Sequence, residues 1–206
     1  MEIAKKAPQH GWIEVITGSM FSGKSEELIR RLRRTQIARQ KVQIFKPRVD
    51  DRYSEAQIVS HSDMRIESQV VANSAELVKR VDEDTDVVGI DEAQFFDAGI
   101  ITTVRTLFAR GKRVIIAGLD TDYRDEPFGS THFLMAIPEA EIVKLRAVCM
   151  RCRGEATRTF RKIRTDAQVV IGDADTYEAL CYTCYVNACA VRDAAITVRE
   201  PTAVVR

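Results

Sequence analysis

Eight consecutive residues constrain the fold of this chain more than any others. Gly18-Ser19-Met20-Phe21-Ser22-Gly23-Lys24-Ser25 satisfies the pattern G-x-x-x-x-G-K-[ST], which has physical meaning only between a strand and a helix. Both flanks are present. Trp12-Ile13-Glu14-Val15-Ile16 reads as a strand, and residues 25–39 read as a helix with Leu28, Ile29, Leu32 and Ile37 on its inner side. Glycines let the backbone curl so that successive N–H groups point inward at phosphate oxygens, while the helix N-terminus adds roughly half a positive charge. Lys24 then supplies a point charge to the β and γ phosphates, and Ser25 a hydroxyl for magnesium. The motif predicts a magnesium-bound nucleoside triphosphate and leaves kinase, ATPase and nucleotide switch open.

The first 120 residues alternate short apolar runs with helical patterns, as a parallel sheet covered by helices does. Val42-Gln43-Ile44-Phe45 is a second strand closed by Pro47. Residues 48–61 are polar and aperiodic and are expected to form a long loop. A weaker strand follows over 66–71, and Asn73 or Ser74 caps a short helix to about Val81, with Glu76 near its positive end. Val87-Val88-Gly89-Ile90 and Val114-Ile115-Ile116-Ala117 show no polar alternation, which suits strands buried on both faces. Between them Ile100, Ile101, Val104, Leu107 and Phe108 mark a helix that Asp97 is placed to cap and Gly111 to end. Residues 118–129 read as a loop and 141–148 as a last strand. The expected fold class is α/β, a RecA-like P-loop NTPase sheet of parallel strands flanked by helices, plus a small zinc-ribbon-like domain. The expected division is a nucleotide-binding domain over 1–148, a metal-binding domain over 149–191, and a weakly patterned tail over 192–206 without fixed structure.

The strand over 87–90 ends in Asp91-Glu92. Asp91 is placed like a Walker B carboxylate, which holds magnesium through its water shell. Glu92 need not share that direction and can face an incoming nucleophile. One carboxylate for the ion and one to accept a proton are what metal-assisted transfer to a hydroxyl or to water uses. A solvated acidic turn is the competing reading, because residues 82–97 contain seven acidic side chains and no basic one.

Charge and cysteine usage narrow the partners. Thirty-one Lys plus Arg against 30 Asp plus Glu leave a net charge of +1, so no global positive field draws the chain onto nucleic acid or an anionic membrane. No apolar run approaches the roughly 20 residues of a membrane helix, and no apolar stretch follows the lysines near the N-terminus. The sequence therefore predicts no membrane partner, no secretory signal and a cytoplasmic location. Five cysteines, confined to residues 149–189, argue for metal instead of a disulfide framework. Cys149-x-x-Cys152 and Cys181-x-x-Cys184 form two knuckles whose thiolates suit Zn2+. Four protein ligands leave no open position for water, so the ion is expected to be structural. An iron–sulfur centre and redox thiols remain open as alternatives. Cys189 falls outside the spacing and is expected to be a small buried core residue.

Taken together, these motifs resemble the thymidine kinases of the type shared by bacteria and the human cytosol. The resemblance rests on Met20-Phe21-Ser22 within the loop, Asp91-Glu92-Ala93-Gln94-Phe95-Phe96, Gly118-Leu119-Asp120, Pro127-Phe128-Gly129 and both cysteine pairs, in that order. It implies ATP-dependent transfer of the γ-phosphoryl group to the 5′-hydroxyl of thymidine or deoxyuridine, with Glu92 as general base and Asp91 on the magnesium side. Asp50 and Arg52 match the family's D-x-R-Y loop, whose arginine approaches the phosphates and disperses charge in the transition state. A loop over 169–177 is implied to enclose the base, its main chain at Val169, Val170, Ile171 and Gly172 hydrogen-bonding the thymine ring. Met20, Phe95, Leu119, Tyr123, Phe128, Thr159 and Tyr177 match positions lining the pocket, although on composition alone Phe95, Phe128 and Tyr177 read as ordinary core aromatics. Such a loop rejects cytosine, whose exchanged groups leave buried partners unpaired. A homotetramer and feedback inhibition by thymidine triphosphate are further implications. The sequence departs from the family at Asp173, where a second glycine usually follows Gly172, and at Tyr182-Thr183, where basic residues are frequent.

Two rival readings use parts of the same sequence. In one, the chain is a nucleic-acid-stimulated ATPase whose Glu92 activates water. In the other it is a non-catalytic zinc-ribbon module that binds nucleic acid or protein through the basic helix over 24–41. Near-zero net charge and small size oppose the first, and against the second, arginines on an exposed helix face more often serve solvation or subunit contacts.

Overall fold

The computed structural model describes residues 11–48, 57–59, 65–165, 167–170, 172 and 174–197. Asp50, Arg52, Ile171 and Asp173 lie outside the described residues, as do most of the expected 48–61 loop and the end of the tail. Strand β1 (Trp12–Thr17) runs into the glycine-rich loop and helix α1 (Lys24–Ile37). Strand β2 (Val42–Pro47) follows, then β3 (Gln57–Val59) and β4 (Arg65–Glu67), which pair antiparallel with each other. Next come β5 (Gln69–Val71), α2 (Ser74–Arg80), β6 (Val87–Ile90), α3 (Ile100–Ala109) and β7 (Arg113–Gly118). Helix α4 (Thr131–Met135) and β8 (Ala140–Lys144) complete the layer.

The main sheet has six strands in the order β5-β2-β6-β7-β1-β8, and every pairing is parallel. One strand, β7, therefore separates β1 from β6, which is the RecA-like arrangement of a P-loop NTPase. Cover on both faces explains the unalternated apolar runs. Ile13, Val15, Val114 and Ile116 pack with Leu77, Ile100, Val104 and Leu107 on one side. Ile16, Ile115 and Ala117 pack with Leu28, Ile29 and Leu32 of α1 on the other. Each fully buried aliphatic side chain contributes about 1.5–3 kcal/mol.

Several local expectations are corrected. Ile37 is 82% exposed, because at about 100° per residue it has turned off the stripe that Leu32 occupies. Thr35 is buried in its stead and donates its hydroxyl to the Leu32 carbonyl at 2.7 Å. Asp97 does not cap α3. Its carboxylate accepts from the Ser74 N–H at 2.8 Å, the Ser74 hydroxyl at 2.6 Å and the Gly99 N–H at 2.9 Å, tying the start of α2 to the approach of α3. Asn73 does cap α2, accepting the Glu76 N–H at 2.9 Å. The strand expected over 66–71 is divided between β4 and β5 at Ser68. That expected over 141–148 ends its sheet pairing at Lys144, and the next residue, Leu145, donates to the Thr17 carbonyl at 2.7 Å.

The remainder forms a small unit of β9 (Ala147–Val148), β10 (Glu155–Ala156), β11 (Arg158–Arg161), β12 (Tyr177–Leu180) and α5 (Tyr182–Thr197). β9 pairs with β10 and β11 with β12, both antiparallel. Its core consists of Ala147, Cys149, Ala156, Phe160, Ala179, Leu180 and Ala188. Cys189 is half-buried against this cluster, short of the full burial expected. Helix α5 continues past Val191 into the segment expected to lack structure. Arg192 accounts for this in part, lying 5.4 Å from the Phe160 ring centroid and donating to the Arg161 carbonyl at 3.4 Å.

A buried charge sits inside the sheet. Glu14 is 3% exposed and accepts from Arg113 Nε at 2.6 Å, from Trp12 Nε1 at 2.8 Å and from Arg31. Burial pushes its carboxyl up, but the hydrogen bonds from Arg113, Trp12 and Arg31 and the Arg113 charge outweigh this and hold it below the ordinary range. Removing the charge leaves two guanidinium groups facing each other. Glu14→Gln is expected to lower the unfolding free energy by about 3 kcal/mol in urea melts. A loss below about 1 kcal/mol would show that the network behaves like a surface pair.

Candidate active site

Ligands of parallel sheets bind beyond the carboxyl ends of the strands. Here the segments after β1, β6 and β7 and the end of β2 open together into a cleft of about 660 Å³, which residues of the small unit also line. Gly18 has φ 143°, and a Cβ there would stand 2.4 Å from the Leu145 carbonyl oxygen, so the loop leaves β1 along a path only glycine can follow. Gly23, at φ 83°, caps α1. The Lys24 ammonium donates to the Ser19 carbonyl at 2.7 Å, and Ser22 Oγ donates to the same oxygen at 2.8 Å. Burial pushes the lysine down, against the opposing pull of Glu92, Asp91 and Asp120.

The loop is tied to the small unit at two points. The Met20 N–H donates to Thr159 Oγ1 at 3.0 Å, and Phe21, held at φ 62°, packs against the core around Phe160.

The Asp91-Glu92 turn separates its two carboxylates. Asp91 is buried and lies 3.4 Å from the Ser25 hydroxyl. Its burial and the neighbouring Glu92 carboxylate push it up to about 7. Ser25 Oγ and Asp91 Oδ2 are hard oxygens spaced to fit neighbouring positions around an octahedral magnesium ion, directly or through its waters. Glu92 adopts φ 52° and is exposed. This left-handed step, costing about 1–2 kcal/mol for a residue with a Cβ, turns the second side chain away from the buried path of the first.

Of the sequence-predicted residues, Met20, Phe21, Gly23, Lys24, Ser25, Asp91 and Glu92 line the cleft, and so do Phe95, Leu119, Tyr123, Phe128, Thr159, Val169, Val170, Gly172 and Tyr177. Gly18, Ser19 and Ser22 shape the loop without lining it. Phe95 and Phe128 meet edge to face at 5.6 Å, and the Tyr177 hydroxyl donates to the Val170 carbonyl at 2.7 Å, tying Val170 to the start of β12.

Sequence reasoning left Lys46, Gln94, Asp122 and Gln168 unassigned, and all four line the cleft. Gln168 Nε2 donates to Asp122 Oδ2 at 3.2 Å, a further tie between the layer and the small unit. Gln94 stands inside a recognised motif and Asp122 two residues beyond another, whereas a lysine near the end of β2 carries no signal of its own.

Beyond the cleft, the ligand atoms of Cys149, Cys152, Cys181 and Cys184 all lie within 4.8 Å of one another. Cys152 and Cys181 Sγ are 3.6 Å apart. A tetrahedral zinc ion with bonds of about 2.3 Å needs sulfurs about 3.8 Å apart, so the cluster fits. Burial pushes the Cys149 thiol up, but N–H groups of Cys152, Cys181 and Arg151 prevail and bring it down to about 6. The Cys181 side chain and burial push Cys184 up to about 12. Four crowded thiols cannot all ionise without a cation, and metal binding releases their protons.

Among solved structures, the chain is similar to the Pif1 helicase from Candida albicans, at 14% identity and a TM-score of 0.40, over 65% of this chain and 36% of that one. It is also similar to AMPPCP-bound DnaA from Aquifex aeolicus, at 13% identity and a TM-score of 0.40, over 69% of this chain and 42% of that one. The chain spans less than half the length of either. Its sequence matches the family model described as Thymidine kinase over residues 11–185, from β1 through the second cysteine pair. A match over that much of its length shows that the chain belongs to the thymidine kinase family.

Proposed function

We propose that the protein transfers the γ-phosphoryl group of Mg-ATP to the 5′-hydroxyl of thymidine or deoxyuridine. The observation that carries this reading is that Lys24 and Glu92 line the same cleft as Tyr123, Phe128 and Tyr177. A proton acceptor and a phosphate-binding cation thus stand beside an aromatic-walled recess sized for a base and sugar.

In the proposed mechanism, backbone N–H groups of the 18–25 loop and the Lys24 ammonium hold the β and γ phosphates. Ser25 and Asp91 would hold the magnesium ion, which would supply charge neutralisation on the phosphates. Glu92 accepts the 5′-hydroxyl proton as that oxygen bonds to the γ-phosphorus. The bond from this phosphorus to the β,γ-bridging oxygen breaks, and ADP keeps the electron pair. Asp50 and Arg52, outside the described residues, complete the phosphate end. Backbone groups of Val169, Val170, Ile171 and Gly172 read the thymine edge, and Met20, Phe95, Leu119 and Thr159 enclose the nucleoside. Cys149, Cys152, Cys181 and Cys184 would hold a structural Zn2+ ion, which would fix the base of that loop.

The same reading divides the chain near residue 148 into a nucleotide-binding layer and a zinc-bearing lid. It also includes a cytoplasmic homotetramer inhibited by thymidine triphosphate and acting without nucleic acid. A panel of labelled nucleosides tests the specificity. Thymidine and deoxyuridine are expected to be phosphorylated, and deoxycytidine at least about 100-fold more slowly. Equal rates for all three would contradict base reading by fixed backbone groups.

A further inference from the structure

Gln94 is 3% exposed, and both ends of its amide are committed. Its Nε2 donates to Glu92 Oε2, and its Oε1 accepts the Leu119 N–H at 3.0 Å. Glycine at 118 leaves room for this amide, since a Cβ there would stand 3.1 Å from Gln94 Oε1. Glu92 itself is an exposed, unbranched side chain on a left-handed turn, with no other hydrogen bond to its carboxylate among the described residues.

We propose that Gln94 is the positioning residue of the phosphoryl transfer: it clamps one carboxylate oxygen of Glu92 to the end of β7 and leaves the other to take the hydroxyl proton. This rests on reading Glu92 as the general base. The chemistry selects an amide at position 94. An ionised Glu92 needs a donor, and the Leu119 N–H needs an acceptor, so a carboxylate or an apolar side chain serves only one or neither. Leu119 also lines the cleft. One side chain therefore keeps the proton acceptor in register with the wall the nucleoside rests on, and small errors in such register cost large factors in rate.

Two variants separate positioning from folding. Gln94→Met removes both hydrogen bonds at similar volume, whereas Gln94→Glu keeps an acceptor for Leu119 and removes the donor to Glu92. Both are expected to lower kcat by about 30- to 100-fold, with the KM values for ATP and thymidine within about threefold of the parent. Because Gln94 acts through Glu92, adding Gln94→Glu to Glu92→Gln is expected to cost less than about threefold more. Near-normal kcat for Gln94→Glu would overturn the proposal, since Leu119 anchoring alone would then suffice. So would the same factor of loss in the parent and Glu92→Gln backgrounds, which marks an independent structural role. Near-normal turnover by Glu92→Gln alone would instead remove the general base, and this proposal with it.

Discussion

Glu92→Gln is expected to lower kcat for thymidine phosphorylation by about 10²- to 10⁴-fold, the usual contribution of a general base. The substitution keeps the shape of the side chain and a carbonyl oxygen that can still accept from Gln94. What it removes is the ability to take a proton. ATP binding should survive, because Lys24 and the loop N–H groups are untouched. The change also removes one of the influences that push Asp91 up, so Asp91 ionises more readily and magnesium binding is not expected to weaken. Steady-state kinetics with an equilibrium ATP titration separate the two effects. A kcat within about threefold of the parent would show that Glu92 is not the proton acceptor.

The second large effect is expected at the cysteine cluster. Cys181→Ser removes one of four thiolates, and a structural zinc ion of this type contributes about 10–16 kcal/mol to the folded state of a small unit. The core it staples consists mainly of alanines, with Phe160 and Leu180 as its large fully buried side chains, so little apolar burial stands in reserve. Zinc content should fall from one per chain towards zero, and the segment from β9 to α5 should become susceptible to protease. Thymidine KM is expected to rise at least about tenfold as the 169–177 wall loses its support. Weaker ATP binding should follow too, because Phe21 packs on this core and the Met20 N–H bonds to Thr159. A zinc-free variant with full activity would refute the structural role of the metal.

The parts of the structure most readable in the sequence were those whose signal is periodic or chemically exclusive. The doubly buried strands were readable because cover on both faces abolishes alternation, and the cysteine pairs because few other patterns gather four thiols. Failures occurred where a residue type suggested a role that helical rotation, tertiary contacts or the shortness of an element did not allow. Ile37 kept the composition of a core residue while helix rotation carried it off the buried face, and Thr35 took that place by bonding its own backbone. Asp97 had the residue type of a cap but is held by Ser74. β3 is three residues long, too short to carry a period. α5 extends beyond its expected end where Arg192 reaches back to Arg161 and Phe160. In the cleft, Phe128 answers to both descriptions given to it, being 8% exposed and part of the wall. Gln94 was visible as a letter in a motif, but its task depends on Leu119, brought near by the pairing of β6 with β7.

Phosphoryl transfer to a nucleoside hydroxyl, as opposed to water, is tested most directly by following the γ-phosphate of labelled Mg-ATP with and without thymidine. With thymidine present, label should appear in thymidylate at one equivalent per ADP formed, and without it ATP should persist. Release of free phosphate at the same rate in both mixtures would contradict the kinase mechanism and make Glu92 the activator of a water molecule.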